Sequence, residues 1–185
     1  MTALRKERMT AKEFLLWAER QPERWELLDG VPVAMSPERA IHGLTTHRVA
    51  NALDWAIAKA QVGCHFLPDS VVVRIDETTT FQPDALVYCG ERVSGDTLEV
   101  NTPVIVVEVL SPSTATKDLR DKLVGYFRVA SLQHYLIVDP DRRVVIHHKR
   151  GAGDLIETRI ASEGALNLVP PGLAIEVQEL FEKET

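Results

Sequence analysis

Several features that mark other classes of protein are scarce or missing in this sequence of 185 residues. No run of apolar residues is longer than five, whereas a membrane-spanning helix needs about 20. Basic residues are in the minority, with 21 Lys and Arg against 27 Asp and Glu, and the net charge of -6 argues against a strongly basic nucleic-acid-coating protein. The N-terminus lacks the apolar segment of a signal peptide, so we expect a cytoplasmic protein.

Cysteine is also rare. The two cysteines, Cys64 and Cys89, lie 25 positions apart and do not have the CxxC spacing of a zinc or redox motif. We therefore expect reduced, partly buried thiols. The six histidines form neither an HExxH motif nor a Cys/His zinc pattern.

The composition is that of a globular protein with a full core, since 45% of the residues are hydrophobic and 26% are charged. No repeat, low-complexity tract or linker divides the chain. We therefore predict a single domain over residues 1–185, which is an ordinary length for one domain.

Local patterns predict strands interspersed with helices. Thr10 and Glu13 form a capping box that starts a short helix, and Asp29-Gly30 between two apolar runs predicts a hairpin. Two long helices are expected over residues 38–60 and 116–130. Strands are expected at CHFLP, SVVVRI, FQPDALVYC, PVIVVEVL, HYLIVDP, RRVVIHHK, LIETRI and PGLAIEVQELF. This order predicts an α/β or α+β fold, with helices packed on one sheet.

The most informative residue is Glu108, which lies in the apolar run Val104 to Leu110. Such a run is typical of a central strand covered on both faces. An unpaired buried carboxylate costs several kcal/mol, so Glu108 must be protonated, ion-paired with Arg or Lys, or bound to a cation.

Asp84 also begins an apolar strand, directly after Pro83. Pro-Asp by itself is usually a turn or a strand start. If the strands of Asp84 and Glu108 are neighbours in one sheet, however, their carboxylates converge, and the repulsion must be offset by a cation or a shared proton. Oxygen ligands favour Mg²⁺ or Mn²⁺ over Zn²⁺.

Lys122 shares one face of the second long helix with Asp118 and Tyr126. One interpretation is an exposed ion pair between Asp118 and Lys122. The other is a role in a site, because the helix begins just after the strand of Glu108, and sites in α/β sheets lie at such strand ends.

Taken together, these motifs occur in a recognisable order. They are Pro83-Asp84, Glu108, Ser111-Pro112-Ser113-Thr114, Asp118, Lys122-Leu123, Tyr126 and Tyr135-Leu136-Ile137-Val138-Asp139-Pro140. With the Glu-Leu-Leu-Asp-Gly hairpin at residues 26–30, the chain resembles the PD-(D/E)XK nuclease superfamily, and more closely its bacterial restriction-endonuclease-like branch expanded in cyanobacteria. The resemblance covers about residues 10 to 180 and implies a restriction-endonuclease-like mixed central sheet flanked by helices.

The resemblance also implies roles for individual residues. Asp84, Glu108 and the backbone carbonyl of Val109 would bind the metal ion. The superfamily's usual lysine, two residues after the Glu, is replaced here by Leu110. Lys122 on the following helix would then be the catalytic lysine.

Four further residues are assigned as follows. Glu26 and His42 match recurring positions of the branch and are candidates for flanking the site, although a buried ion pair for Glu26 and a capping or core role for His42 are alternatives. Lys117 is a weaker substitute for Lys122, and Tyr126 is expected in the core or at the rim.

The function implied is that of a Mg²⁺- or Mn²⁺-dependent endonuclease acting on DNA rather than RNA, as a homodimer. The basic stretch over residues 142–150 and the basic residues of the second long helix could contact phosphates, or the stretch could be a solvated edge strand. Two alternatives stay open. One is a catalytically degenerate module that binds nucleic acid or a protein partner without turnover, and the other is a scaffold with salt-bridged carboxylates.

Overall fold

The computed structural model describes residues 8–111 and 116–181 of the chain, without the side chains of residues 116–118. The helices are α1 (Ala11–Ala18), α2 (Ala40–Ala60) and α3 (Thr116–Arg128), with a 3₁₀ turn at Val177–Leu180. The strands are β1 (Trp25–Leu28), β2 (Val31–Ala34), β3 (Cys64–Pro68), β4 (Val73–Asp76), β5 (Thr79–Phe81), β6 (Ala85–Cys89), β7 (Pro103–Val109), β8 (His134–Asp139), β9 (Val144–Arg150), β10 (Ile156–Ala161), β11 (Ala165–Leu168) and β12 (Leu173–Glu176). Within the described ranges, none of the helices combines the length and apolarity needed to cross a membrane.

A six-stranded mixed sheet forms the centre of the molecule, in the order β10-β9-β8-β7-β6-β3. Strands β7 and β8 are parallel, and the other neighbours are antiparallel. The parallel pair requires a crossover between its strands, and α3 lies within that crossover. Both central strands are almost wholly buried, as their apolar runs predict. The predicted α+β class, with helices flanking a mixed central sheet, is confirmed.

The two faces of this sheet have separate cores. On one face, α2 packs with the β11–β12 hairpin through residues such as Leu53 and Leu168. On the other face, α3 packs through Tyr126, together with the aromatic ring of Phe81 from β5. The ring of Phe81 approaches α3 so closely that a Cβ added to Gly125 would lie 2.5 Å from it, which is possible only where the helix carries no side chain.

A second, four-stranded sheet has the order β2-β1-β5-β4. The hairpin between β1 and β2 turns at Asp29 and Gly30, both with positive φ, as the Asp-Gly pair predicts. Helix α1 packs against this sheet and is started by the predicted capping box of Thr10 and Glu13.

The segment FQPDALVYC, predicted as one strand, is two. Strand β5 ends at Phe81 and joins the four-stranded sheet, whereas β6 begins at Ala85 in the central sheet. Residues 82–84 between them therefore pass from one sheet to the other. Strand β11 was not predicted, and β4 begins at Val73 rather than at Ser70.

The two cysteines differ from the expectation of free thiols, because Cys64 and Cys89 form a disulfide. They are directly opposite partners in the antiparallel β3–β6 ladder. Spacing along the chain could not show this, since the pairing depends on the register of two strands 25 residues apart.

Candidate active site

The two carboxylates expected to meet do lie on neighbouring strands. Strands β6 and β7 pair antiparallel with Ala85 opposite Val107, so Asp84, just before β6, lies beside Glu108 near the end of β7. Both side chains are buried. The backbone N–H of Val109 donates to Oδ2 of Asp84 at 2.6 Å, which ties the two strand ends together.

Helix α3 supplies a cation and a hydroxyl to Glu108. Nζ of Lys122 lies 3.0 Å from each carboxylate oxygen of Glu108. The hydroxyl of Tyr126, one turn further along the helix, donates to Oε1 of Glu108 at 2.7 Å. Because Gly125 lets the helix approach Phe81, these two side chains reach the strand while fully or almost fully buried.

Glu26 brings a third carboxylate from the four-stranded sheet. Its Oε1 lies 3.0 Å from Nζ of Lys122 and accepts a hydrogen bond of 2.9 Å from the backbone N–H of Gln82. Lys122 therefore lies between Glu26 and Glu108, and its ammonium bridges the two sheets.

The first turn of α2 places His42 beside Asp84. The Nε2 atom of His42 lies 3.3 Å from Oδ2 of Asp84, and its Nδ1 atom lies 2.9 Å from Oε2 of Glu38. Glu38 also pairs with Arg24. One ligand atom from each of Glu38, His42 and Asp84 falls within a group whose members are all less than 4.8 Å apart, a spacing that fits a metal ion.

Among the described side chains of the site, acidic groups outnumber basic ones. Burial raises the pKa of Glu108 to about 8, against the lowering by the Lys122 ammonium, and the carboxylates of Asp84 and Glu26 raise it further. Burial also raises the pKa of Tyr126 well above its ordinary value, with the charge of Glu108 as the next cause. Tyr126 is therefore a neutral donor.

The pKa of His42 is shifted by opposing causes. Burial lowers it, but the hydrogen bond to Asp84 and the charges of Asp84 and Glu38 outweigh burial, so the pKa is raised above the ordinary value. The negative charge of Asp84 therefore raises the pKa of both His42 and Glu108.

These groups line an open cavity of about 290 Å³. Residues at the end of β2 and in the segment after it, among them Ala34, Met35 and Ser36, also line the cavity. The charged and imidazole side chains in its wall are those of Glu26, Glu38, His42, Asp84, Glu108 and Lys122. A scaffold protein whose carboxylates are only salt-bridged would have no open cavity beside Glu108, so the cavity argues against that alternative. The ion pair of Glu108 that this alternative also predicts is present, with Lys122 as the partner.

The donor chemistry of the cavity fits a divalent cation. Among the side chains that the structure describes, the buried carboxylates of Glu26, Asp84 and Glu108 carry three negative charges when ionised, and the ammonium of Lys122 lies between two of them. The carboxylate oxygens of Asp84 and Glu108 are hard donors suited to Mg²⁺ or Mn²⁺, and the imidazole of His42 is tolerated by Mn²⁺.

The structure thus brings together Glu26, His42, Asp84, Glu108 and Lys122, the five side chains that the sequence analysis placed in the site or at its flank. The alternative of an exposed Lys122 is wrong, because this side chain is buried. Pro112 to Thr114 of the motif lie outside the described residues, as do the side chains of Lys117 and Asp118.

Sequence reasoning missed Glu38 and left Tyr126 as core or rim. Glu38 could have been found from its position four residues before His42, which allows the two side chains to meet at the start of a helix. The contact of Tyr126 with Glu108 depends on how α3 docks on the sheet, which has no sequence signal.

The basic stretch over residues 142–150 has several roles. Arg150 donates to the backbone carbonyls of Phe127, Val129 and Leu132 and thereby stabilises the C-terminal end of α3. Arg142 pairs with Asp139 but is largely exposed. Arg150 therefore has a structural role, and residues 144–150 of the stretch form β9, which is not an edge strand.

Comparisons with known proteins define the class. A solved structure described as a putative nuclease belonging to DUF820 from Anabaena variabilis ATCC 29413 has a TM-score of 0.71 with this chain at 16% identity, covering 93% of this chain and 97% of the other. The likeness shows that the chain shares the fold of that protein.

The family follows from the sequence. The model of the Uma2 family, whose description is "Putative restriction endonuclease", matches residues 11–180, and the chain belongs to this family. Two similar proteins of Synechocystis sp. are the uncharacterized protein slr1290, 29% identical over 94% of this chain and 92% of its own length, and the uncharacterized protein sll1609, 28% identical over 85% and 90%.

Proposed function

We propose that the chain is a Mg²⁺-dependent endonuclease that hydrolyses phosphodiester bonds of DNA. The observation that carries the proposal is the open cavity in which the buried carboxylates of Glu26, Asp84 and Glu108 meet the buried ammonium of Lys122. Membership of a restriction-endonuclease family supports the same reaction class.

Asp84, Glu108 and the carbonyl of Val109 would hold the metal ion, with His42 and Glu38 at its side. A bound divalent ion supplies Lewis acidity to a phosphate oxygen and makes a water molecule more acidic. The fit rests on the excess of acidic groups among the described side chains of the cavity and on the hard oxygen donors.

Lys122 would orient the attacking water and balance negative charge that develops on the phosphate oxygens. Its ammonium has three protons to donate, and Glu26 and Glu108 fix its position at 3.0 Å each. Tyr126 and Glu26 are positioning residues, since each acts through Glu108 or Lys122 rather than on the substrate.

The alternative is a catalytically degenerate module that binds nucleic acid or a protein partner without turnover. Leu110 occupies the position of the superfamily's usual lysine, and this observation favours it. The preference for DNA over RNA, the cytoplasmic location, the homodimer and the single domain over residues 1–185 stay predictions.

The test is cleavage of supercoiled plasmid and of DNA and RNA oligonucleotides with Mg²⁺, with Mn²⁺ and with EDTA. We expect divalent-dependent cleavage of DNA, reduced on the order of 100-fold or more in Asp84→Ala and Glu108→Gln. Glu163→Gln, at an exposed carboxylate, is the matched control and should cut like the wild type.

Calorimetric titration with Mn²⁺ separates the two candidate functions. Metal binding that is lost in Asp84→Ala, without cleavage of any substrate by the wild type, would favour the degenerate module. Unchanged Mn²⁺ affinity in folded Asp84→Ala would refute the proposed ligand set for both functions.

A further inference from the structure

Strand β10 is an edge of the central sheet as the described residues form it. It is the last strand in the order β10-β9-β8-β7-β6-β3, and within residues 8–111 and 116–181 its pairing partner is β9 alone. Its first five residues are exposed on both faces, and the large apolar side chains of Ile156 and Ile160 are 40% and 69% exposed. An exposed apolar edge is a template for pairing with another chain, which monomeric proteins usually avoid.

The backbone of β10 offers its outward groups at alternate residues. The N–H of Gly151 donates to the carbonyl of Leu155, and the register continues with Glu157 opposite Lys149 and Arg159 opposite His147. In an antiparallel ladder, bonded and non-bonded pairs alternate, so the odd-numbered residues bond to β9. The N–H and C=O groups of Ile156, Thr158 and Ile160 therefore point away from the sheet.

The side chains of β10 are self-complementary about Thr158. The order is Ile156-Glu157-Thr158-Arg159-Ile160, so reversing the direction exchanges each isoleucine with an isoleucine and the glutamate with the arginine. Among the described residues neither Glu157 nor Arg159 forms an ion pair, although Arg159 donates to the carbonyl of Ala165 at 3.3 Å.

We propose that β10 pairs antiparallel with β10 of a second copy of this chain, with Thr158 on the two-fold axis. Ile156 of each copy then lies opposite Ile160 of the other on one face of the joined sheet. Glu157 lies opposite Arg159 on the other face, twice, and directly opposite residues are close enough to interact. The outward backbone groups satisfy one another, and the two central sheets become one.

The charges of β10 favour a second copy of this chain as the partner, and they favour antiparallel over parallel pairing. Parallel pairing in register would place Glu157 against Glu157 and Arg159 against Arg159, which is unfavourable. A two-fold interface uses the same patch on both copies, as most soluble dimers do. The inference concerns the assembly of the chain and does not depend on nuclease activity.

The test is the dimerisation constant measured by sedimentation equilibrium. Glu157→Arg and Arg159→Glu each place like charges opposite one another at both pairs, so each should weaken the dimer about tenfold or more. Glu163→Arg makes the same change of charge at an exposed residue outside β10 and should leave the dimer unchanged. Circular dichroism checks that each variant is folded.

A mixture of the two weakened variants is the decisive measurement. In the mixed dimer, the Glu157→Arg copy is positive at both positions and the Arg159→Glu copy is negative at both, so every facing pair joins opposite charges. Heterodimers should therefore form with at least the wild-type affinity. A wild-type monomer at all soluble concentrations would overturn the proposal, and so would variants that dimerise like the wild type or a mixture that does not associate.

Discussion

Two buried polar clusters lie on opposite faces of the central sheet, and they are built in opposite ways. On the α3 face, Glu108 meets Lys122 and Tyr126 beside the open cavity. On the α2 face, His134 of β8 and His147 of β9 lie side by side in the core. The first cluster contains a lysine ammonium and adjoins the cavity, whereas the second is neutral and closed.

The histidine cluster is a chain of neutral donors and acceptors. Nε2 of His134 lies 2.8 Å from the carbonyl of Pro170 and must donate to it. Nδ1 of neutral His134 is then an acceptor, and it receives the Nε2–H of His147 at 2.9 Å. Burial lowers the pKa of both rings to about 4, so both are uncharged at neutral pH.

The comparison indicates which buried polar group serves stability and which serves function. Neutral groups whose hydrogen bonds are satisfied can be enclosed at little cost, whereas buried charges lose hydration that their partners seldom repay in full. Burying Glu26, Asp84 and Glu108 together beside a cavity therefore costs free energy that the packing of the fold does not require. We infer that these residues are there for the chemistry of the site.

The largest expected effect on stability is that of Lys122→Met. The change leaves Glu26 and Glu108 buried without their shared cation, so we expect a loss of about 3–5 kcal/mol of unfolding free energy, measured by urea denaturation. Arg120→Met, at an exposed residue of the same helix, should cost far less.

The ionic origin of that loss can be separated from lost packing. Adding Glu26→Gln and Glu108→Gln to Lys122→Met removes the uncompensated charges, so the triple variant should recover most of the stability. A Lys122→Met protein as stable as Arg120→Met would contradict the description of the cluster.

A smaller effect is expected in the neutral cluster. His134→Leu leaves the carbonyl of Pro170 and the Nε2–H of His147 without partners, at a cost of about 1–3 kcal/mol. Its affinity for Mn²⁺, measured by calorimetry, should equal that of the wild type, because the cluster faces away from the cavity. A loss of metal binding in a folded His134→Leu protein would show that the two clusters are coupled.

The smallest effect is a contribution to the pH dependence of stability. The pKa values of His134 and His147 are lowered from 6.5 to about 4, so the unfolded chain binds more protons between these values. Their contribution is present above pH 6.5 and is lost as the pH falls towards 4. Urea denaturation of the wild type and of His134→Gln/His147→Gln should show a smaller loss on acidification in the double variant.

The test compares the loss of stability on acidification in the wild type and in the double variant. The difference between them is needed because the pKa of His42 is shifted in the opposite direction. Its pKa is raised, so its contribution to stability is present below pH 6.5 and is lost as the pH rises through the folded value. The double variant leaves His42 unchanged. Equal acid sensitivity in both proteins would be evidence against the assignment of the histidine pair.

The sequence alone predicted those parts of the site whose signal is local. Glu108 and Asp84 were visible because a charge at the end or start of an apolar strand is costly, and their strands do pair. The family resemblance pointed to Lys122, but its contact with Glu26 joins two sheets whose relative placement is not local. The same reason hid the pairing of Cys64 with Cys89.

The contact between Gly125 and Phe81 determines how closely helix α3 approaches the sheet that carries Glu108. A lysine two residues along the strand would have its distance to Glu108 fixed by the pleat of the sheet. Here the ammonium belongs to a side chain of helix α3. That helix lies this close to the ring of Phe81 because Gly125 has no Cβ. Substitutions at Gly125 or Phe81 therefore change the distance between Lys122 and Glu108 in related sequences, while the central sheet stays the same.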